Sequence, residues 1–444
     1  KFRIKGFSTN YPMGAILLQS FTNMSEAFLS IGNVVGEVWF VVLPPALYFI
    51  FKLLWMDRIQ NQYIEGVKTV LLEIIPPRDI EKSPKVMETI FDGIAGVDKS
   101  PTVVETYVQG YLPPLISLEM VGDGGSGAHL YVRTPASFRN LIEAYFYAQY
   151  PNVEIVESSD YVDEIPKGAP NRDWDLFGAD IEFTKPDPYP IKTYHYYEED
   201  VTGKMIDPLA GLFESFGKLP PGQKIWFQMI ITPLKPDYYN TGKALLDEII
   251  GRAVKVKPSS PMGDLTSGIR EIATTVPKAF FGPVEFASAT DKPEKKDFLE
   301  YQLTPVEKEV VKALEANIGR NVFGSRLRMI YIGKKKGFDK SFVSAFFGGL
   351  KQFNDFNLNG FKPNDASKTY ANYLLTDRRM RFRQRKLLRR YKFRDPDSPV
   401  PMLGLSTAEL ATLFHIPDMN VLAPSLPRVS AKRSSAPQNL PTRP

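Results

Sequence analysis

A nineteen-residue apolar stretch near the start of the chain, Val38 to Met56, constrains the fold more than any other feature of the sequence. At 1.5 Å per residue, a helix of this length nearly crosses a hydrocarbon core of about 30 Å. Trp39 and Trp55 lie at its edges, where indole rings prefer the headgroup level, and Lys52 is close enough to one end to reach the same interface. The pattern predicts a transmembrane helix over residues 36–57, with Trp39, Lys52 and Trp55 as membrane contacts.

Two alternatives remain open for this part of the chain. The stretch would instead be a buried core helix if Pro44 and Pro45, which remove backbone donors from its middle, prevent it from spanning. The preceding residues 1–35 are apolar but interrupted by polar side chains, so they are expected to form an amphipathic interfacial segment or a second span. Basic residues lie on both sides of the stretch, so charge does not orient it.

The composition is that of a folded protein, with 43% hydrophobic and 24% charged residues, and 444 residues predict more than one globular unit. Cysteine is absent, which excludes disulfides and thiolate metal sites. The three histidines, His129, His195 and His415, stand far apart, which disfavours a histidine metal site. The sequence predicts no catalytic residue, no metal site and no cofactor in this chain.

Alternating strand and helix signals begin at residue 66. An apolar, β-branched strand over Val67–Ile75 precedes a helix that opens at Ser83-Pro84. The glycine-rich run Gly122–Gly127 joins two apolar strands as a hairpin. A helix over Ala136–Gln149 and a strand at Val153–Val156 complete the order βαββαβ, which is typical of a ferredoxin-like unit.

A second α/β unit is predicted further along the chain. Its first signal is a capped helix from Thr304-Pro305 to Ile318, whereas a strand at Thr193–Tyr197 and a central strand at Lys224–Thr232 fall within the first unit. We therefore predict an α+β chain in which a transmembrane helix precedes two ferredoxin-like units. The predicted boundaries are 1–35 for the amphipathic segment, 36–57 for the transmembrane helix, 66–258 and 301–400 for the two α/β domains, 259–300 for a linker or excursion between them, and 401–444 for an extended linker.

A strongly basic segment lies between Arg378 and Arg394, where ten of seventeen residues are basic and none is acidic. Without these ten residues the net charge of +5 would be −5. Apolar residues are interleaved, so we expect one face to pack while the cations contact phosphate, in nucleic acid or in anionic lipid. The alternative is a basic surface that packs on the acidic remainder or on a neighbouring subunit. The candidate nucleic-acid-binding residues are Arg378, Arg379, Arg381, Arg383, Arg385, Lys386, Arg389, Arg390, Lys392 and Arg394.

Three stretches of sequence carry a resemblance to a known family. They are TVLLEIIPPRDIEKSPKVMETIFDGI (Thr69–Ile94), ISLEMVGDGGSGAHLYVRTPASFRNLIEAYFYAQYPNVEIVE (Ile116–Glu157) and LSTAELATLFHIPDMNVLAPSLPRVSAKRSSAPQNLP (Leu405–Pro441). Together they resemble the membrane and pre-motor region of bacterial type IV secretion and conjugative DNA-transfer ATPases of the candidate-phylum type, which carry a HerA/FtsK-type P-loop motor.

The resemblance implies a homo-oligomeric part of a DNA or protein export machine at the bacterial inner membrane, with its soluble part in the cytoplasm. ATP and Mg would belong to an associated P-loop motor, in the same polypeptide or a separate one, since no GxxxxGK[ST] occurs in these 444 residues. Both ends of the sequence, from Lys1 to Pro444, look like cut ends of a longer chain. The predicted function is a membrane-anchored scaffold that positions this ATPase. The alternative is a membrane-tethered DNA-binding adaptor without a motor.

Overall fold

The structure is a computed structural model that describes residues 40, 43–77, 82–96, 99, 101–166, 168–197, 206–234, 237–250, 303–373, 375–418 and 426–428. The predicted segment 1–35, Trp39, the predicted linker 259–300 and most of the predicted linker 401–444 lie outside these residues. The chain forms two compact units, one within residues 1–67 and 100–112 and the other within 68–99 and 113–444.

The helices are α1 (residues 43–66), α2 (Lys85–Ala95), α3 (Val103–Tyr107), α4 (Arg139–Gln149), α5 (Ala210–Gly217), α6 (Asp237–Ile250), α7 (Pro305–Ile318), α8 (Ser341–Lys351), α9 (Thr376–Phe393) and α10 (Thr407–Leu413). The strands are β1 (Thr69–Ile75), β2 (Ile116–Asp123), β3 (Gly127–Pro135), β4 (Glu154–Glu157), β5 (Trp174–Phe183), β6 (Gln223–Pro233), β7 (Val322–Lys334), β8 (Phe361–Pro363) and β9 (Leu403–Ser406).

The first unit contains α1 and α3, and it shows that the predicted transmembrane helix is wrong. No helix among the described residues is both long enough and apolar enough to span a membrane. A span needs about 20 mainly apolar residues, and every stretch of that length within α1 contains Lys52, Asp57 and Arg58. Trp55 and Lys52 lie against α3, where the Trp55 indole N–H donates to the Tyr107 carbonyl at 2.9 Å and Lys52 Nζ lies 5.3 Å from the Tyr107 ring centroid.

The described residues of the second unit form one antiparallel sheet of nine strands in the order β4-β1-β3-β2-β6-β7-β5-β8, with β9 paired to β7. Its first half runs β1-α2-β2-β3-α4-β4 and its second half runs β5-α5-β6-β7-α8-β8. Both halves have the split βαβ connectivity. When the four strands of each half are numbered in chain order, the first half lies in the sheet as 4-1-3-2 and the second as the mirror order 2-3-1-4. The connection between β6 and β7 carries α6 and α7, where the first half has the predicted glycine-rich hairpin.

The two halves share one sheet because β2 pairs with β6 along the whole length of β2, from Ile116 opposite Ile231 to Asp123 opposite Lys224. The chain is α+β, and each half has the predicted split βαβ order, but the two halves form one continuous sheet across β2 and β6. The predicted strand at Thr193–Tyr197 is also wrong, since residues Tyr194–Tyr197 form a 3-10 helix.

Each face of the sheet carries its own core. On the first face, apolar side chains of α2, α4, α5, α8 and α10 pack on alternate strand residues such as Phe227 and Met329. On the second face, α9 and the 3-10 helix Tyr161–Glu164 pack on the intervening residues, such as Trp226 and Ile330. Because strand side chains alternate between faces, β6 and β7 are buried on both sides.

Candidate nucleic-acid interface

The predicted basic segment forms helix α9. Its buried side chains, Gln384, Leu387, Leu388 and Tyr391, recur at i, i+3, i+4 and i+7, which is the spacing of one helical face. The basic residues occupy the other positions, with Arg394 following directly after the helix. The sequence therefore folds this run into a helix with an apolar face on the sheet and most of its charge outside.

The helix is fixed closely to the second face of the sheet. A Cβ added to Gly178 of β5 would come within 2.6 Å of Leu387 Cδ2, so the absence of a side chain there lets α9 approach the strand. The Tyr391 ring stacks on Trp226 with a centroid distance of 5.2 Å, and its hydroxyl lies 2.7 Å from the hydroxyl of Tyr161. These contacts hold the helix rigidly in position.

Arg394, one of the predicted binding residues, is buried instead of facing solvent. Its Nε and Nη2 donate to the two carboxylate oxygens of Glu119 at 2.9 and 3.0 Å, and its Nη1 and Nη2 donate to Asp160 at 2.5 and 2.9 Å. Burial on its own raises the pKa of Glu119, but the Arg394 guanidinium, with hydrogen bonds from Ser117 and Tyr161, outweighs it and lowers this pKa below its ordinary value. Arg394 thus ties the end of α9 to β2.

The loop after α9 is held by two buried arginines of β7. The Arg326 guanidinium donates to three carbonyl oxygens between Pro396 and Pro401, at 3.1, 2.5 and 3.0 Å. Arg328 Nε donates to Asp180 Oδ1 at 2.6 Å, and the Ser398 hydroxyl donates to the other oxygen of that carboxylate at 2.5 Å. Since both arginines are fully engaged inside the protein, they position the loop and are not available to a ligand.

Between α9 and this loop lies an open groove of about 730 Å³. Asp397 is the acid in its lining, and it pairs with Arg390 at 2.8 Å. Residues four apart lie on the same side of a helix, so Arg378, Phe382 and Lys386 form one row along the groove. The basic residues of the lining are Arg378, Arg379, Arg383, Lys386 and Arg390.

The structure separates the ten predicted residues into three groups. Five are exposed and form neither an ion pair nor a hydrogen bond with any residue that the structure describes: Arg378, Arg381, Arg385, Lys386 and Arg389. Arg379, Arg383 and Arg390 also line the groove, but Arg379 donates to the Asn372 carbonyl, Arg383 to those of Lys368 and Tyr370, and Arg390 to Asp397. Lys392 is half-buried and Arg394 is buried. The exposed cations therefore form two rows, one along the groove and one through Arg381, Arg385 and Arg389.

A chain of hydrogen bonds that the sequence did not indicate links Ser126, His129 and Glu73. Ser126 Oγ lies 2.9 Å from His129 Nε2, and Glu73 Oε1 lies 2.7 Å from His129 Nδ1, in the order found in serine hydrolases. Two amides of the same turn are already engaged, since Gly124 donates to a β6 carbonyl at 3.0 Å and Gly125 to an aspartate side chain at 3.1 Å. In hydrolases, free backbone amides of this kind stabilise the oxyanion. Because these two amides are already bonded, we assign the Ser126–His129–Glu73 hydrogen bonds a structural role, which is to hold the hairpin against β1.

The sequence of the chain matches a known protein family over most of its length. Residues 57–427 match a family described as a domain of unknown function (DUF8128). The chain belongs to this family. The matched range includes all nine strands, α9 and the groove, so the basic interface is part of the DUF8128 domain itself. A comparison with curated proteins gave no match.

Proposed function

We propose that this chain is a non-catalytic nucleic-acid-binding scaffold, in which α9 contacts the phosphate backbone. The observation that carries the proposal is a set of five exposed cations on α9 that form neither an ion pair nor a hydrogen bond within the described part of the chain: Arg378, Arg381, Arg385, Lys386 and Arg389. Arginine and lysine rows on a rigid helix neutralise successive phosphates and release their counterions.

The surroundings of α9 support a ligand that carries many negative charges. Two buried arginines on this face are balanced by buried acids, Arg394 by Glu119 and Arg328 by Asp180. The outer cations have no such balance, and like charges one turn apart repel one another. A polyanion that lies along both rows removes this repulsion, whereas a single small anion would contact only a few of the side chains.

The scaffold part of the proposal rests on the resemblance to the pre-motor region of DNA-transfer ATPases. We propose that copies of the chain assemble next to a P-loop ATPase, in the same polypeptide or a separate one, and place nucleic acid near it. The alternative is an adaptor that binds DNA without a motor. The two differ in whether the basic residues affect assembly or only nucleic-acid retention.

The test is fluorescence anisotropy with a labelled oligonucleotide at several salt concentrations, on the protein and on Lys386→Gln. The logarithm of the binding constant should fall linearly with the logarithm of the salt concentration. Removing one phosphate contact should make that slope shallower by about 0.7 to 0.9. Lys351→Gln is the matched control, because Lys351 is an exposed lysine of α8, on the opposite face of the sheet.

Replacing Arg378, Arg381, Arg385, Lys386 and Arg389 together by glutamine, with molar mass measured by light scattering, separates the two versions. Loss of oligonucleotide binding at unchanged molar mass supports the adaptor. Loss of binding together with a lower molar mass, that is, a smaller assembly, supports a scaffold whose assembly uses the same helix. Binding that is insensitive to salt, or equally affected by Lys351→Gln, would contradict the proposal.

A further inference from the structure

Two phenylalanines of α9, Phe382 and Phe393, are exposed and lie next to basic residues. Phe382 is 68% exposed and lines the groove between Arg378 and Lys386, one turn away on either side. Phe393, at the other end of the helix, is 73% exposed, and the Arg389 guanidinium lies 6.0 Å from its ring centroid. Such exposure of a large apolar ring in a charged groove indicates a partner with flat apolar faces.

We infer that the groove binds single-stranded rather than double-stranded nucleic acid, an inference that rests on the proposed function. A base of the strand stacks on Phe382, and the flanking phosphates lie against Arg378 and Lys386. In a duplex the base faces are covered by their neighbours, so Phe382 would meet only sugar and phosphate. In a single strand every base presents a face to an aromatic ring, without regard to sequence.

The spacing and size of the site fit this arrangement. Residues four apart on a helix are separated by about 6 Å along its axis, so the backbone positions of Arg378 and Lys386 lie about 6 Å before and after that of Phe382. A volume of about 730 Å³ lies within the range of clefts, roughly 300 to 1,000 Å³, that hold molecules larger than a single base. The alternation of cation, ring and cation along one row thus follows the alternation of phosphate and base along a single strand.

The experiment compares oligothymidylate, oligouridylate and a mixed-sequence duplex of equal length, by anisotropy at one salt concentration, for the protein and for Phe382→Ala. We expect Phe382→Ala to weaken binding of both single strands about 5- to 150-fold, which corresponds to about 1–3 kcal/mol for one stacked base. Binding of the duplex should be unchanged. Similar losses for both single strands would show that stacking on Phe382 is common to DNA and RNA. A loss for oligothymidylate alone would identify DNA as the ligand, and a loss for oligouridylate alone would identify RNA.

Phe356→Ala is the matched control, because Phe356 is a fully exposed phenylalanine that does not line the groove. It should leave all three affinities unchanged. If Phe382→Ala has no effect, or weakens duplex and single strands equally, while Lys386→Gln still changes the salt dependence, the single-strand inference fails and the proposed function stands. If none of the three oligonucleotides binds, both fail.

Discussion

Replacement of Arg394 tests whether α9 depends on the buried charge network beneath it. The Arg394 side chain is 5% exposed and that of Glu119 is 0% exposed. In Arg394→Met the carboxylate of Glu119 keeps three donors, the hydroxyls of Ser117 and Tyr161 and the amide of Gln228, at 2.6, 2.7 and 3.0 Å. It loses its counter-ion, so the fold would hold an uncompensated negative charge.

The expected cost is about 3–5 kcal/mol of unfolding free energy, the range for removing one partner of a buried ion pair. Nearly all of it comes from Glu119, because Asp160 is partly exposed and screened by solvent. The measurement is urea unfolding followed by circular dichroism. Arg390→Met is the matched control on the same helix: its partner Asp397 is 74% exposed, so the loss should stay within about 1 kcal/mol.

Two further measurements make this prediction refutable. In the double variant Glu119→Gln/Arg394→Met the stranded charge is gone, so the losses should not add, with a coupling of about 0.5–3 kcal/mol. In the wild type, the pKa of Glu119 is lower in the folded than in the unfolded chain. Ionised Glu119 therefore stabilises the fold at pH values above the ordinary glutamate pKa, and this stabilisation is lost as the pH falls through the lowered pKa. Without Arg394, burial raises that pKa, so the loss in Arg394→Met should shrink as the pH falls. Additive losses, or a loss independent of pH, would refute the reasoning.

Two other predictions concern the packing of α9 and the pH dependence of stability. Gly178→Ala should cost about 1–3 kcal/mol in urea unfolding, because the new Cβ would lie 2.6 Å from Leu387. The control Gly348→Ala, where a Cβ meets open space within helix α8, should be neutral or stabilising. Equal effects of the two substitutions would contradict the close approach of α9 to β5. Burial raises the pKa of Glu409 to about 7, so the folded chain holds a proton that the unfolded chain releases. The free energy of unfolding should therefore fall by up to about 3 kcal/mol as the pH rises from the ordinary glutamate pKa through about 7. Glu409→Gln should flatten this slope, and an unchanged slope would exclude Glu409 as its source.

Local signals in the sequence predicted the elements that local physics determines. The hairpin at Gly122–Gly127 is present because its glycine at position 127 takes φ +98°, which other residues rarely adopt. Thr304 caps helix α7, and its side chain forms the predicted capping box with that of Glu307. In both cases the residues that decide the structure are within four positions of one another.

The joining of the halves was not predictable in this way, because it depends on contacts distant in the chain. The pairing of β2 with β6 brings together residues about one hundred positions apart, such as Glu119 and Gln228. The apolar composition of α1 indicated a span, but the charges of Asp57 and Arg58 lie just beyond the apolar stretch and within the same helix. Composition also placed Arg394 among the ligand-binding cations, since only the fold shows its partner at position 119.

The distribution of charge across the second face explains how one segment serves both folding and binding. Two buried arginines on this face are each matched by a buried acid, Arg394 by Glu119 and Arg328 by Asp180. These pairs neutralise the interior without using the outer cations of α9. Because the apolar side chains of the helix and the paired arginines fix its position, the outer rows are held at constant spacing before any ligand arrives, and little conformational entropy is lost when a polyanion binds. Variants of the outer rows should therefore change affinity with little effect on stability, whereas variants of the paired arginines should do the reverse.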